Sequence, residues 1–381
     1  MDFTFSDEQT ALRELAAQIF EGSSDVDRVT EMELTDDRFD AALWQDLATA
    51  NLLGVAVPEE HGGLGFGMLE LVQVLEQQGR AVAVVPLLPT LVLGALPIAR
   101  FGTPDHCARW LPAIVEGRAV FTAALADYGV SDPLLTSVAA QEADGGWVLS
   151  GAKPAVPAAH LAQRILVPAR TAEGSLGVFL VDPEADGVRL VRNDATDREI
   201  HCTMHLDDVR VPTADVLGDP TGGAAIVEWI VERANVAIAA TVVGCCEAAT
   251  RLTAEYTSQR EQFGRPLSTN QGVALRAADC YIDTDNIRLV MLKAAWLLDE
   301  GLPASDAVAA AKWWSAEAGQ RVVHATQHLH GGMGADIDYP VHRYFLWVKQ
   351  LENTLGGASA QLARLGSALA DRARVAAGPL A

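Results

Sequence analysis

The chain has 381 residues, half of them hydrophobic, enough to bury a large core and to build two or three domains. Its 50 acidic against 28 basic side chains give a formal charge of −22, which repels phosphate backbones and anionic membrane surfaces and argues against nucleic acid as a partner. The five cysteines, Cys107, Cys202, Cys245, Cys246 and Cys280, are scattered and odd in number, a pattern that reads as reduced thiols.

The opening Met1-Asp2-Phe3-Thr4-Phe5 lacks a basic stretch followed by an apolar run, so the sequence predicts no signal peptide and a cytoplasmic location. Residues 1–118 read as a helical domain, with apolar positions such as Leu12, Leu15 and Ile19, and later Leu71, Val74 and Leu75, at helical spacing. Residues 81–99 carry no charge and approach the length of a spanning helix. Pro86, Pro89 and Pro97 would each remove a backbone donor that lipid cannot replace, so the expectation is a broken helical region in a soluble core. The glycines of Pro58-Glu59-Glu60-His61-Gly62-Gly63-Leu64-Gly65-Phe66-Gly67 form a loop without the G-x-G-x-x-G register or βαβ surroundings of a dinucleotide fold.

Residues 119–218 change texture to short β-prone runs separated by turns, among them Gly146-Trp147-Val148-Leu149, Arg164-Ile165-Leu166-Val167 and Gly177-Val178-Phe179-Leu180-Val181, and predict a middle β domain. Residues 219–381 return to long helices, over roughly 226–258, 270–300 and 305–330, with a tail at 376–381 expected to lack structure.

Three constellations carry chemistry. In Arg260-Glu261-Gln262-Phe263-Gly264-Arg265-Pro266-Leu267, followed by Gln271, a guanidinium can grip a phosphate bidentately and a ring can flank a heterocycle; an ordinary polar turn between helices is the alternative. In His328-Leu329-His330-Gly331-Gly332-Met333-Gly334, glycines can end a helix and admit a ligand to the backbone. The alternatives there are a plain C-cap or a metal pair, His324 and His328 being four apart but without a third ligand in sequence reach. Glu232-Arg233 precedes thirteen uncharged residues, 234–246, so Glu232 is either a partly desolvated carboxylate suited to general-base work or a solvated helix-face glutamate. No G-x-S-x-G, P-loop, H-E-x-x-H or paired C-x-x-C motif supports hydrolase, NTPase or zinc-protease chemistry.

Together these segments resemble the acyl-CoA dehydrogenase family over nearly the whole chain. Pro58-Glu59-Glu60-His61-Gly62-Gly63 matches the family's P-E-E-x-G-G, and Leu206-Asp207-Asp208-Val209-Arg210-Val211-Pro212 its exit from the β domain. Arg260, Phe263 and Gln271 match R-x-x-F-G...Q, and His330-Gly331-Gly332-Met333-Gly334 matches H-G-G-x-G. The resemblance implies a mainly α fold with a central β domain: an N-terminal helical domain, a middle β-barrel-like domain and a C-terminal four-helix bundle. It also implies FAD as cofactor and α,β-dehydrogenation of an acyl-CoA thioester, with a glutamate removing the α-proton while hydride leaves to the flavin. Arg260, Phe263, Gln271, His328, Gly331 and Gly332 would reach a neighbouring subunit's FAD at its adenosine and pyrophosphate half.

The departures from the family are as informative. Where many members place the base in Y-E-G-T, the sequence reads Asn353-Thr354-Leu355-Gly356-Gly357, with the glutamate position on Leu355 or Gly356. A minority carry it on the first long C-terminal helix, where Glu232 aligns and becomes the candidate base. The family's T-E-P-x-A-G-S-D stretch corresponds to 125–132, and Ala155 and Pro157 replace the tryptophan and hydroxyl that pack on the flavin ring; His328 replaces a glutamine. These departures, with His342-Arg343-Tyr344-Phe345-Leu346-Trp347, resemble actinobacterial heteromeric members of steroid side-chain degradation, tetramers with two copies each of two unlike subunits. The implied partners are acyl-CoA, a homologous subunit and an electron-transfer flavoprotein-type acceptor. The alternative role is a non-catalytic subunit that completes a sister's FAD site, and acyl-CoA or nitroalkane oxidases share the scaffold.

Overall fold

The computed structural model describes residues 4–23, 25–171 and 174–377, so Met1, Asp2, Phe3 and the last four residues of the expected tail lie outside it. The first layer holds α1 (Asp7–Ser23), α2 (Val26–Glu33), α3 (Ala41–Thr49), α4 (Met68–Ala81), α5 (Leu96–Phe101) and α6 (Pro104–Val115). Their starts are written in the sequence: Asp25 accepts from the Arg28 N–H, Asp40 from the Leu43 N–H, and Thr103 from the His106 N–H. The uncharged stretch is the buried, broken helical region that its prolines required. After α4 the chain turns at Val82, then enters a π-helix, Leu88–Ala95, that runs into α5, with Pro89 and Pro97 in first turns where no N–H is missed.

A seven-stranded sheet follows: β1 (Phe121–Ala123), β2 (Ala139–Ala143), β3 (Gly146–Pro157), β4 (Arg164–Arg170), β5 (Leu176–Val181), β6 (Val188–Asp194) and β7 (Ile200–Pro212). Its order is β1-β4-β2-β3-β7-β6, with β5 added to β4; β3 and β7 are the long antiparallel pair at its centre. On β7 the inward residues Ile200, Cys202, Met204 and Leu206 alternate with less buried neighbours, the period of two that fixes register.

The C-terminal helices are α7 (Gly223–Gln259), α8 (Gln271–Asp299), α9 (Ser305–Leu329), α10 (Val341–Asn353) and α11 (Ala358–Ala377). The expected bundle thus has a fifth helix, and the predicted 260–266 turn is a short hairpin of β8 (Glu261–Gln262) and β9 (Arg265–Pro266). Helix α7 is uncharged and buried all round from 234 to 246 because α4 covers one side and α8, α9 and α10 the others. Glycines let the backbones of α4 and α7 nearly touch: a Cβ on Gly79 would sit 2.1 Å from the Thr241 carbonyl oxygen, and one on Gly244 2.0 Å from that of Glu76. All five cysteines are buried and unpaired.

Candidate functional site

Two cavities flank the loop that follows α10. The first, about 250 Å³, is mainly apolar and lies between the two helical layers and the sheet. Its walls come from the π-helix (Leu88, Leu93), the segment after β1 (Leu125, Ala126), β3 (Ala155, Pro157), α7 (Ile238) and the end of α10 (Trp347). Leu355 lines it too, and no carboxylate stands on that wall. The loop backbone is bent for the purpose: Leu355 holds φ +57° and Gly356 φ +92°, a left-handed pair that few leucines adopt. Gln361 on α11 clamps the bend, its Nε2 donating to the Leu355 and Gly356 carbonyls at 3.1 and 3.2 Å.

The second cavity, about 390 Å³, lies on the other side of that clamp and is lined by Asp132, Glu232, Asn235, Ser305, Gln361 and Arg364. The candidate base therefore opens into this second cavity, whose floor also includes Leu134, Val227, Val231 and Val308, and not into the first. Its Oε1 accepts from Ser305 Oγ at 2.6 Å, its Oε2 lies 4.0 Å from Arg233, and 29% of the side chain is exposed. Burial lowers Arg233 to about 10 despite Glu232, and its guanidinium lies 3.6 Å from the centre of the Trp229 ring. Two buried acceptors of this cavity, Asn235 Oδ1 and Gln361 Oε1, have no hydrogen-bond donor among the described residues.

The candidate cofactor groups gather elsewhere, at one end of the helical bundle. Tyr256, in the last turn of α7, stacks on His330 with ring centres 4.6 Å apart, and Arg276 of α8 bonds His328 Nδ1 at 3.1 Å. These contacts bring the Arg260–Gln271 segment and the His328–Gly332 segment together. Phe263 caps the hairpin at φ +55° and is 100% exposed, while Arg260 makes no ion pair among the described residues. A Cβ on Gly331 or Gly332 would meet nothing within 4 Å, so the backbone there is open to approach from outside. His324 packs edge-on against Phe345 and His328 is engaged by Arg276, an arrangement that gives the metal-pair reading no support.

The fit to FAD divides accordingly. The bundle end offers a free guanidinium, an exposed ring and bare glycine backbone, the set a phosphate and a heterocycle presented by another chain require. In the chain's own apolar cavity, Ala155 and Pro157 offer neither a stacking ring nor a hydroxyl. The adjoining segment is held by a buried ion pair, Lys153 Nζ to Asp127 Oδ2 at 3.2 Å, with Asp127 also accepting from the Ser137 N–H at 2.8 Å.

One cluster escaped the sequence reading: Asp197, Glu199 and His201 face the apolar cavity with their polar atoms within 4.8 Å of one another. The only available signal was the alternation D-x-E-x-H at the entry to a strand, which is too common to single out without knowing what the strand faces.

Residues 6–118 match the family described as "Acyl-CoA dehydrogenase, N-terminal domain" and residues 221–369 that described as "Acyl-CoA dehydrogenase, C-terminal domain". Two Mycobacterium tuberculosis proteins are similar: acyl-CoA dehydrogenase FadE27, 38% identical over 97% of this chain and 99% of its own length, and FadE28, 36% identical over 85% and 91%. Among solved structures, a chain of the Tcur3481-Tcur3483 steroid ACAD G363A variant is 44% identical with a TM-score of 0.91, covering 96% of this chain and 99% of its own. A chain of the ChsE4-ChsE5 complex from Mycobacterium tuberculosis is 38% identical with a TM-score of 0.92, covering 97% and 99%. Among the described residues no helix is long and apolar enough to cross a membrane. With its helix, sheet and helix layers and these relatives, the chain belongs to the acyl-CoA dehydrogenase family, oxidoreductases that act on CH–CH bonds with a flavin.

Proposed function

We propose that the chain is one of two unlike subunits of an FAD-dependent acyl-CoA dehydrogenase, and that Arg260, Phe263, Gln271, His328, Gly331 and Gly332 hold the adenosine and pyrophosphate half of an FAD seated in the partner. The observation that carries this is the hairpin itself, where a fully exposed Phe263 ring and Arg260, which makes no ion pair among the described residues, stand together as a stacking surface and a phosphate-gripping guanidinium open to another chain. The partner face is supported by Leu275, Ile282 and Leu289 of α8, exposed apolar residues at a spacing of seven, the repeat with which one helix meets another. The similar solved chains come from two-protein complexes, one of them a steroid ACAD, which supports a heteromer and a bulky, steroid-derived acyl group. We assign an electron-transfer flavoprotein-type acceptor, and a cytoplasmic location supported by the five unpaired cysteines.

When bound, FAD supplies the hydride acceptor for the β-hydrogen. Glu232 takes the α-proton on Oε2, the oxygen that Ser305 leaves free. A second reading is favoured by one observation: Glu232 and the apolar cavity lie on opposite sides of the Leu355–Gly356 bend, as they would in a subunit that completes a sister's site without chemistry of its own. Co-expression with a homologous neighbour, followed by flavin stoichiometry and acyl-CoA-dependent dye reduction, tests both. Loss of about 10²–10⁴-fold in kcat for Glu232→Gln with flavin retained supports the base; full activity in that variant leaves only the completing role.

A further inference from the structure

The apolar cavity has a polar wall that the dehydrogenation chemistry does not use. Asp197 and Glu199 lie in the turn before β7, closed by Arg198 N–H to the Ala195 carbonyl at 3.0 Å, and His201 is the second residue of the strand. Asp197 is buried and accepts the Glu199 N–H at 3.0 Å. The Glu199 carboxyl and the His201 ring make no hydrogen bond or ion pair among the described residues, although the three groups lie within 4.8 Å of one another. Burial raises Asp197 to about 6, burial and then Asp197 push Glu199 well above the carboxylate range, and burial drops His201 to about 4. The wall thus offers a carboxyl O–H and a neutral imidazole.

The other buried polar residues facing this space are Thr241, whose Oγ1 donates to the Ala237 carbonyl at 3.2 Å, and Gln78. Its Nε2 is committed to the Ala83 and Val85 carbonyls at 3.2 and 2.7 Å, which leaves Oε1 as what it can offer. Hydrocarbon from Leu88, Leu93, Ile238 and Trp347 makes up most of the rest. A carboxylate guest would meet Asp197 with no cation on the cavity lining, and an ammonium would have Asp197 alone to offset the water it loses among mostly apolar walls. Buried donors and acceptors without protein partners reject a guest that cannot pair them.

We infer that this cavity binds an uncharged, mainly hydrocarbon molecule bearing one hydroxyl or ketone oxygen, with that oxygen against Glu199 and His201. The inference rests on the cavity and stands whether or not Glu232 is the base. Calorimetric titration of the co-expressed complex with decahydro-2-naphthol, its ketone, and 2-methyldecahydronaphthalene, which puts a methyl group where the oxygen was, tests it. The oxygenated probes should bind about tenfold or more tightly than the hydrocarbon. That preference should vanish in Glu199→Leu and in His201→Leu, and survive in Glu199→Gln, which keeps a donor. Equal binding of all three probes, no binding of any, or a preference that persists in the double leucine variant overturns the inference. So does tighter binding of decahydro-2-naphthylamine or Zn²⁺ than of the alcohol, which would make the cluster a cation site.

Discussion

Lys312 lies fully buried on α9, and its Nζ donates to the carbonyls of Leu351 and Glu352 at 2.9 and 3.0 Å. Those carbonyls belong to the last turn of α10, where no helical donor remains for them, and the loop bearing Leu355 starts just beyond. Burial pulls the lysine from its ordinary 10.5 down to about 7, with Glu352 opposing. Between those two values the unfolded chain binds a proton that the folded chain lacks, so folded stability rises with pH by about 1.4 kcal/mol per unit. Below about pH 7 both states hold the proton and the slope disappears. Lys312→Met keeps the side-chain length and removes the titration. From pH 7 to 9 the stability of the natural chain relative to the variant should therefore shift by roughly 2.3 kcal/mol in favour of the natural chain, the slope being half-developed at pH 7. Urea unfolding followed by tryptophan fluorescence at pH 7, 8 and 9 measures this. Parallel profiles for the two proteins would refute the buried, uncharged lysine.

Asp127→Ala strands Lys153 as a buried charge and should lower stability by roughly 3–5 kcal/mol, read as the denaturation midpoint, whereas a loss below 1 kcal/mol would mean that water reaches the lysine. Arg260→Ala and Phe263→Ala remove groups exposed on the free chain, so each should leave its melting temperature unchanged while lowering the FAD retained by the complex after gel filtration. Ile282→Glu places a charge in the middle of the α8 stripe; light scattering should show loss of the assembled complex with helicity intact.

The layered fold was legible because its signals are local. The charge-free 234–246 stretch of α7, the punctuation by Pro86, Pro89 and Pro97, and the turn-separated β runs each follow from nearest-neighbour chemistry. The hairpin around Phe263 could be found as a motif because its residues lie within a few positions of one another, and its outward aim was the missing part, since exposure is a property of the whole surface. Glu232 shows the limit from the other side. Its sequence neighbourhood suggested a carboxylate at the margin of an apolar core, but what it faces is decided by Ser305 and Gln361, 73 and 129 positions away along the chain, and by a loop bent at Leu355.

Leu355 also explains why the first cavity can differ in use from its neighbour, which holds Glu232. A leucine at φ +57° gains no relief from its own backbone, so the bend persists because Gln361 takes both carbonyls and Lys312 anchors the helix end in front of it. That clamp closes the cavity on one side with hydrocarbon, at the position where the family resemblance implies a carboxylate. The titratable groups the cavity does contain, Asp197, Glu199 and His201, come from the turn into β7 and the start of that strand. With a leucine on the α10 loop and carboxyl groups on the sheet side, the wall that would remove a proton is hydrocarbon and the wall that can pair an oxygen stands across from it.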